Sequence, residues 1–358
     1  MELTPSTLNR TTLHRQLLLE RAPLTALEAV GRLVAVQAQE ANSPYLSLWT
    51  RLRGFGHDEL TSLLYGRQVV RGSLLRGTQH LAASGDYVWL RPMMQERLGR
   101  ARQAGFGRVT RGIDLDELAE AARGHLSGRT LTRSQLSALL AERWPLVEKP
   151  ALGWSAQALL PIVHAPPSGT WNKGGATPFT LAEEWLGRKL EPAPPVERLV
   201  VRYLAAYGPA GVMDVQMWSG LTRLREVIEG MGLREYRSAG RVLYDLPDAP
   251  LVAGEVAAPV RFLPYFDNLV VAFADRGRLM TAEQRRAVCV GAIIHPVFLV
   301  DGVVGGMWDV EDGALVLRPL APLPDEARGP VEEEGARLLA FMGSEGGAIT
   351  WRGRQRVA

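Results

Sequence analysis

Apolar residues fall at helical spacing through the first part of the chain. Leu13, Leu17, Leu18 and Leu24 precede a run over residues 25–39, where Leu27, Val30, Leu33, Val34 and Val36 recur with the period of an amphipathic helix. Thr25, with Glu28 three residues later, is a capping-box pattern and places the start of that helix. Residues 69–83, with Gly72 and Gly77, alternate loosely instead and predict two short strands. Helical spacing resumes over 115–123, breaks at Gly128 and returns over 130–144, where Thr132 and Gln135 repeat the capping box. Helix, Gly-containing turn and helix make a helix-turn-helix skeleton. The Pro/Gly-rich stretch 161–178 that follows fits two strands around a loop, a wing.

The same pattern returns more clearly after the linker at 192–195. Helices are predicted over 196–207, 211–218 and 221–231, with Arg223, Arg225 and Glu229 facing outward from the third. Residues 237–246 then read as a wing turning at Ala239-Gly240. From Pro259 the texture becomes β. Strands are predicted over 260–263, 269–272, 297–300, 303–308 and 314–317, with helices over 282–292 and 331–343. Asp301-Gly302 between two apolar runs is a hairpin signal for a type I′ turn. The pattern predicts an α+β fold: two or three tandem winged-helix units plus a small C-terminal β-sheet or barrel. The units are expected at 1–128, 129–190, 191–250 and 251–358.

Composition narrows the function classes. At 358 residues, 46% hydrophobic and with one Cys, the chain is neither disordered nor a disulfide scaffold. It carries no apolar run of membrane-spanning length and no signal-peptide pattern at its start, so a cytoplasmic protein is expected. Net charge is only +3, yet three of the 41 basic residues are Lys and the rest Arg. The guanidinium fork matches phosphate oxygens, although codon bias explains the same excess. The six His form no HxxxH or HxH pair, so neither a metal nor another cofactor is expected. No phosphate-binding loop, Ser-centred elbow or dinucleotide fingerprint occurs.

One polar oddity remains. Val36-Gln37-Ala38-Gln39-Glu40 ends an otherwise apolar run. Glutamines two apart do not share a helical face, so Gln37 and Gln39 converge only where the helix ends or bends; a solvated last turn is the plainer alternative.

Several stretches together resemble the AlkZ/YcaQ-type winged-helix DNA glycosylase family. Residues 34–40 are similar to its catalytic Gln-x-Gln segment. Leu75-Arg76-Gly77-Thr78-Gln79-His80-Leu81 resembles its RGT-x-HL strand. Residues 203–221 resemble its central winged helix, and Leu263-Pro264-Tyr265-Phe266-Asp267-Asn268, Asp275-Arg276 and residues 300–305 resemble its C-terminal module. Some members carry Gln-x-Asp; Gln at both positions sides this chain with the AlkZ branch. The resemblance implies excision of N7-alkylated purines, unhooking of interstrand cross-links, and a C-shaped assembly around a DNA channel.

The residue chemistry is consistent with that implication. Glutamine is no base at neutral pH, but its carbonyl can orient water and face a cation while its NH₂ donates. An N7-alkylguanine already carries positive charge and leaves neutral, so positioning and dipolar stabilisation suffice. The expected catalytic pair is Gln37 and Gln39. Arg71, Arg76, Thr78, Arg223, Arg225 and Asn268 are the candidate DNA contacts. Asp267 and His80 read more readily as structural, and all three Lys lie far in sequence from the glutamines, which favours a hydrolytic, monofunctional reaction. The expected partner is double-stranded DNA bound by a monomer, since no heptad dimerisation helix is present. The competing readings are a non-enzymatic winged-helix regulator and a scaffold that merely keeps the fold.

Overall fold

The capping box at Thr25 forms as predicted: the Thr25 side chain accepts from the Glu28 N–H, and the Glu28 carboxylate accepts from the Thr25 N–H. A computed structural model describes residues 1–353 of the chain. Helix α1 (Pro5–Arg15) precedes that cap and α2 (Ala26–Arg32) follows it. The helix expected to reach residue 39 therefore stops early. Val34 turns with φ of 71° and Val36–Gln37 becomes strand β1. Residues 33–36 are buried on every side, so their unbroken apolar run carried no face information.

Helices α3 (Ser43–Trp49) and α4 (His57–Tyr65) lead to β2 (Val69–Ser73) and β3 (Gln79–Ala83), the two strands predicted there, joined through a 3-10 turn at Leu75–Gly77. Next come α5 (Ser84–Met93), α6 (Gln95–Phe106), α7 (Leu115–Leu126), β4 (Leu131–Thr132), α8 (Arg133–Arg143) and α9 (Lys149–Leu159). Strands β5 (Ile162–His164) and β6 (Pro178–Leu181) flank the Pro/Gly stretch, and α10 (Ala182–Leu186) closes this part. All six strands join one sheet in the order β1-β3-β2-β5-β6-β4. The two predicted hairpins thus pair with each other through β2 and β5, Arg71 opposite His164.

Helix α11 (Val196–Tyr207) occupies the residues predicted for it, and α12 (Val212–Ser219) nearly so. Helix α13 (Arg225–Gly230) is shorter than expected, because Arg223 takes φ of 61° and the Leu224 N–H is held by the Gln216 side chain. Strands β7 (Arg234–Ser238) and β8 (Arg241–Asp245) form the predicted hairpin.

The last part holds β9 (Arg261–Leu263), α14 (Asn268–Val271), α15 (Ala282–Val288), β10 (Cys289–Val290), β11 (Ile293–Ile294), β12 (Val297–Val300), β13 (Val303–Glu311), β14 (Ala314–Pro319), α16 (Asp325–Phe341) and β15 (Ile349–Trp351). Two expectations are corrected here. Residues 269–272 are helical rather than a strand: the Asp267 carboxylate accepts from the Leu269 N–H and starts α14. The helix expected over 282–292 ends at Val288, and the next residues turn into the β10–β11 hairpin. The five-stranded sheet runs β15-β14-β13-β12-β9 and is open, not a barrel. Asp301 and Gly302 take φ of 44° and 77°, the positive pair a type I′ turn needs.

The molecule is α+β. Its first helix is fastened to the late parts of the chain. Asn9 Nδ2 donates to Arg278 O and Gly302 O, both at 2.8 Å. Arg15 grips both Asp245 oxygens at 2.7 and 2.8 Å, with both side chains buried. Among the described residues no helix is long and apolar enough to cross a membrane.

Candidate active site

Strand β1 lies at the edge of its sheet, with Gln37 opposite His80 of β3. The extended backbone resolves the spacing of the two glutamines. Pairing continues one residue past β1, where the Ala38 N–H donates to Gln79 O at 2.8 Å, and side chains two apart in extended chain share a face. Gln37 Nε2 donates to Thr78 Oγ1 at 3.0 Å, and Gln39 Oε1 lies 3.5 Å from the Gln79 N–H. The two amides therefore meet adjacent residues of the same chain. Gln37 is buried at 4% exposure, whereas Gln39 is exposed.

Gln37 is held from three sides. Arg76 Nη2 donates to its Oε1 at 2.6 Å, Thr78 takes its NH₂, and its own N–H donates to Asn268 Oδ1 at 2.9 Å. Arg76 is itself fixed. Its Nη1 donates to Trp218 O at 2.6 Å, and its backbone sits at φ of 57°, an uncommon conformation for a non-glycine residue. Gly220, which ends α12 at φ of 80°, packs directly on it: a Cβ there would stand 2.9 Å from Arg76 Cα. Burial lowers the Arg76 pKa to about 10, which leaves the guanidinium charged at neutral pH.

His80 stands behind Arg76. Its Nδ1 is 3.0 Å from Thr78 O and its Nε2 is 3.4 Å from Arg76 Nη2. A carbonyl and a guanidinium on either side assign the proton to Nδ1 and leave Nε2 to accept. Burial, followed by the charge of Arg76, pushes the His80 pKa down to about 3. His80 is a neutral brace at any physiological pH.

The residues chosen from sequence as DNA contacts divide in two. Arg71 is buried and braces the second glutamine from its backbone. It donates to Ala38 O at 3.0 Å and to Ser168 Oγ at 3.0 Å, with Gln39 O at 3.5 Å. Asn268 is also buried; its amide donates to Ala35 O and, at 3.0 Å, to Tyr207 Oη. Arg71, Arg76, Thr78 and Asn268 are thus brought together around the glutamine strand rather than spread over a surface. Arg223 and Arg225 are both exposed, and Arg225 pairs with Glu229 at 2.9 Å.

Residues that no local pattern flagged complete the support. Arg51, just past the end of α3, grips both Asp267 oxygens at 2.8 Å with neither side chain exposed, and Ser47 Oγ donates to the same carboxylate at 3.1 Å. Asp267 is therefore committed to structure. Sequence distance also misled in one respect. Asn42 and Asn172 hydrogen-bond each other, which brings Lys173 to the rim of the cleft that Glu40 lines. Among the described residues no group of three or more His, Cys, Asp or Glu side chains is placed to hold a metal ion.

The arrangement can hold an amide dipole rigidly at an edge strand, and neither glutamine is itself a base. A family model described as DNA glycosylase AlkZ-like matches residues 30–341. The chain belongs to that family. AlkZ-like membership covers every glutamine, arginine and asparagine named above as candidate, and it sets aside the regulator reading. An interstrand DNA cross-link repair glycosylase of Streptomyces sahachiroi is 28% identical over 370 residues, covering 92% of this chain and 94% of that one. The solved structure of the S. sahachiroi DNA glycosylase AlkZ superposes with a TM-score of 0.79 at 25% identity, covering 98% of this chain and 100% of the other.

Proposed function

We propose that this AlkZ-like protein is a monofunctional DNA glycosylase that hydrolyses the N-glycosidic bond of N7-alkylated purines, interstrand cross-links included. Gln37 and Gln39 are the catalytic residues: they position water and stabilise the oxocarbenium-like transition state. The observation that carries the reading is the three-sided hold on Gln37 by Arg76, Thr78 and Asn268. A dipole fixed in place before reaction needs no reorganisation, and such preorganisation is what two glutamines, neither of them a base, can supply. It suffices for a leaving group that already carries positive charge. The cross-link activity is supported by the name of the S. sahachiroi relative.

Arg71, Arg76, Thr78 and Asn268 act in this reading as positioning residues rather than as DNA contacts. Arg223 and Arg225, exposed ahead of and within the short α13, remain the phosphate contacts. The chain works as a cytoplasmic monomer built of units 1–128, 129–190, 191–250 and 251–358. Tandem winged helices and the open C-terminal sheet enclose the duplex in a C shape.

The test uses a duplex with one N7-methyl-2′-deoxyguanosine beside a nitrogen-mustard cross-linked duplex. Wild type is expected to leave abasic sites that break only on alkali, and the Gln37→Ala, Gln39→Ala double variant to leave none. Equal activity of the variant sinks the catalytic assignment. Strand breakage without alkali, with borohydride trapping at Lys173, sinks the monofunctional one.

A further inference from the structure

The Pro264–Asn268 segment has two sides. Asp267 and Asn268 point inward, the first onto Arg51 and the second onto the Gln37 N–H. Tyr265 and Phe266 line a cleft of about 780 Å³ together with Glu40, Asn42, Lys173 and Asp309. Glu40 follows Gln39 directly, so the cleft opens beside the catalytic strand. Phe266 is held there at φ of 59°, its N–H donating to Ile294 O at 3.1 Å. The Tyr265 and Phe266 ring centroids are 6.3 Å apart, and both side chains are half-buried. The Tyr265 phenol feels two carboxylates: burial raises its pKa first, then the charges of Asp309 and Glu40.

Carboxylates facing a DNA-binding cleft are at odds with a polyanionic substrate unless they meet a cation. Lys173 lines the same cleft and Arg318 also bears on the Tyr265 phenol, but among the described residues neither Glu40 nor Asp309 forms a salt bridge. Aromatic faces attract cations as well. We propose that this cleft receives the alkyl arm of the lesion and selects arms that carry a cationic amine. Glu40 and Asp309 supply the charge, and Tyr265 and Phe266 supply the apolar walls. The proposal rests on the glycosylase reading and adds the class of adduct to it.

Three duplexes test it, each with one N7-guanine adduct: methyl, the monoadduct of a nitrogen mustard with its protonatable amine, and the matching sulfur-mustard monoadduct with a neutral thioether. Base release is followed in single turnover for wild type, for Glu40→Gln on its exposed side chain, and for the Glu40→Gln, Asp309→Asn double variant. Wild type is expected to release the amine adduct faster than the thioether adduct. In the double variant the ratio of these two rates falls about tenfold, the size of one lost charge-assisted contact. The single variant shows a smaller fall. A ratio unchanged by the variants overturns the proposal and leaves the glycosylase reading standing. No release from any duplex by wild type overturns both.

Discussion

Gln37 is a neutral side chain whose value lies in being unable to move. Its carbonyl is fixed by Arg76 and its NH₂ by Thr78, so the amide has one orientation. Arg76 does this with two separate nitrogens, one on Gln37 and one on Trp218 O. A lysine replaces this rigid two-nitrogen fork with a single point charge on a flexible stem. Arg76→Lys is therefore expected to slow single-turnover base release about tenfold or more, the worth of one hydrogen bond to a charged group, while duplex affinity holds. An unchanged rate with intact binding would show that the clamp is not needed. Gln37, Arg76, Thr78 and Asn268 were singled out in the sequence, but the contacts that join them were not legible there. Arg71 and Asn268 look like surface polar groups until their burial is known. Their partners, Ala38 in one case and Ala35 and Tyr207 in the other, are set by tertiary contact rather than by spacing. Arg51 had no local signal at all, because its carboxylate lies 216 residues away.

At the scale of elements, the site depends on how two helices end. Helix α2 must stop at Arg32 for Val36–Gln37 to be extended, and α12 must end in Gly220 for Arg76 to be approached closely. Gly220→Ala places a Cβ 2.9 Å from Arg76 Cα at φ of 80°. Strain in the left-handed region and overpacking together are expected to cost about 2–3 kcal/mol. Gly240→Ala, at φ of 75° with nothing within 4 Å, serves as the comparison and should cost about 1 kcal/mol. Guanidinium midpoints check both; equal losses would mean that the contact with Arg76 is slack. The α11 helix and the β7–β8 hairpin, each with one wet face, were read close to where they lie, but a wet face was not sufficient: residues 289–292, half-buried to exposed, were read as helix and belong to a hairpin. Apolar runs without a wet face misled for a different reason. Residues 33–36 and 269–272 are apolar and buried all round, so neither a helical nor an alternating period survives in them. The Asp267 cap started α14, and Val34 at φ of 71° ended the helical path before β1.

For the whole molecule, the α+β class followed from the mixture of periods, but closure of the last sheet did not. Whether a sheet closes depends on which edges meet, and β15 adds in parallel to β14 while β9 ends the other side. Stability of the molecule should respond to acid. His14, His57, His80 and His164 all have pKa values lowered by burial, His80 to about 3. The unfolded chain binds protons at these groups below about 6.5, and the native chain does not. Their contribution is thus complete above that pH and is lost as pH falls. For His80 the loss runs from the ordinary 6.5 down to about 3. Denaturation at pH 7.5 and pH 5 is expected to show lower stability at pH 5, by about 2 kcal/mol from His80 alone. A His80→Gln variant should reduce that difference; the same pH dependence in wild type and variant would contradict the neutral-brace role.

The fastening of α1 has a consequence for how the protein is made. Asn9 hydrogen-bonds Gly302, a partner 293 residues later in the chain. At about 5–20 residues per second, translation reaches that partner roughly 15–60 s after Asn9 is added. Over that interval Asn9 and Arg10 lack their native acceptors, and Leu13 lacks part of the core it joins in the finished fold. Helix α1 thus waits for its last partners long after its own synthesis, and it carries an incompletely covered apolar face over that interval.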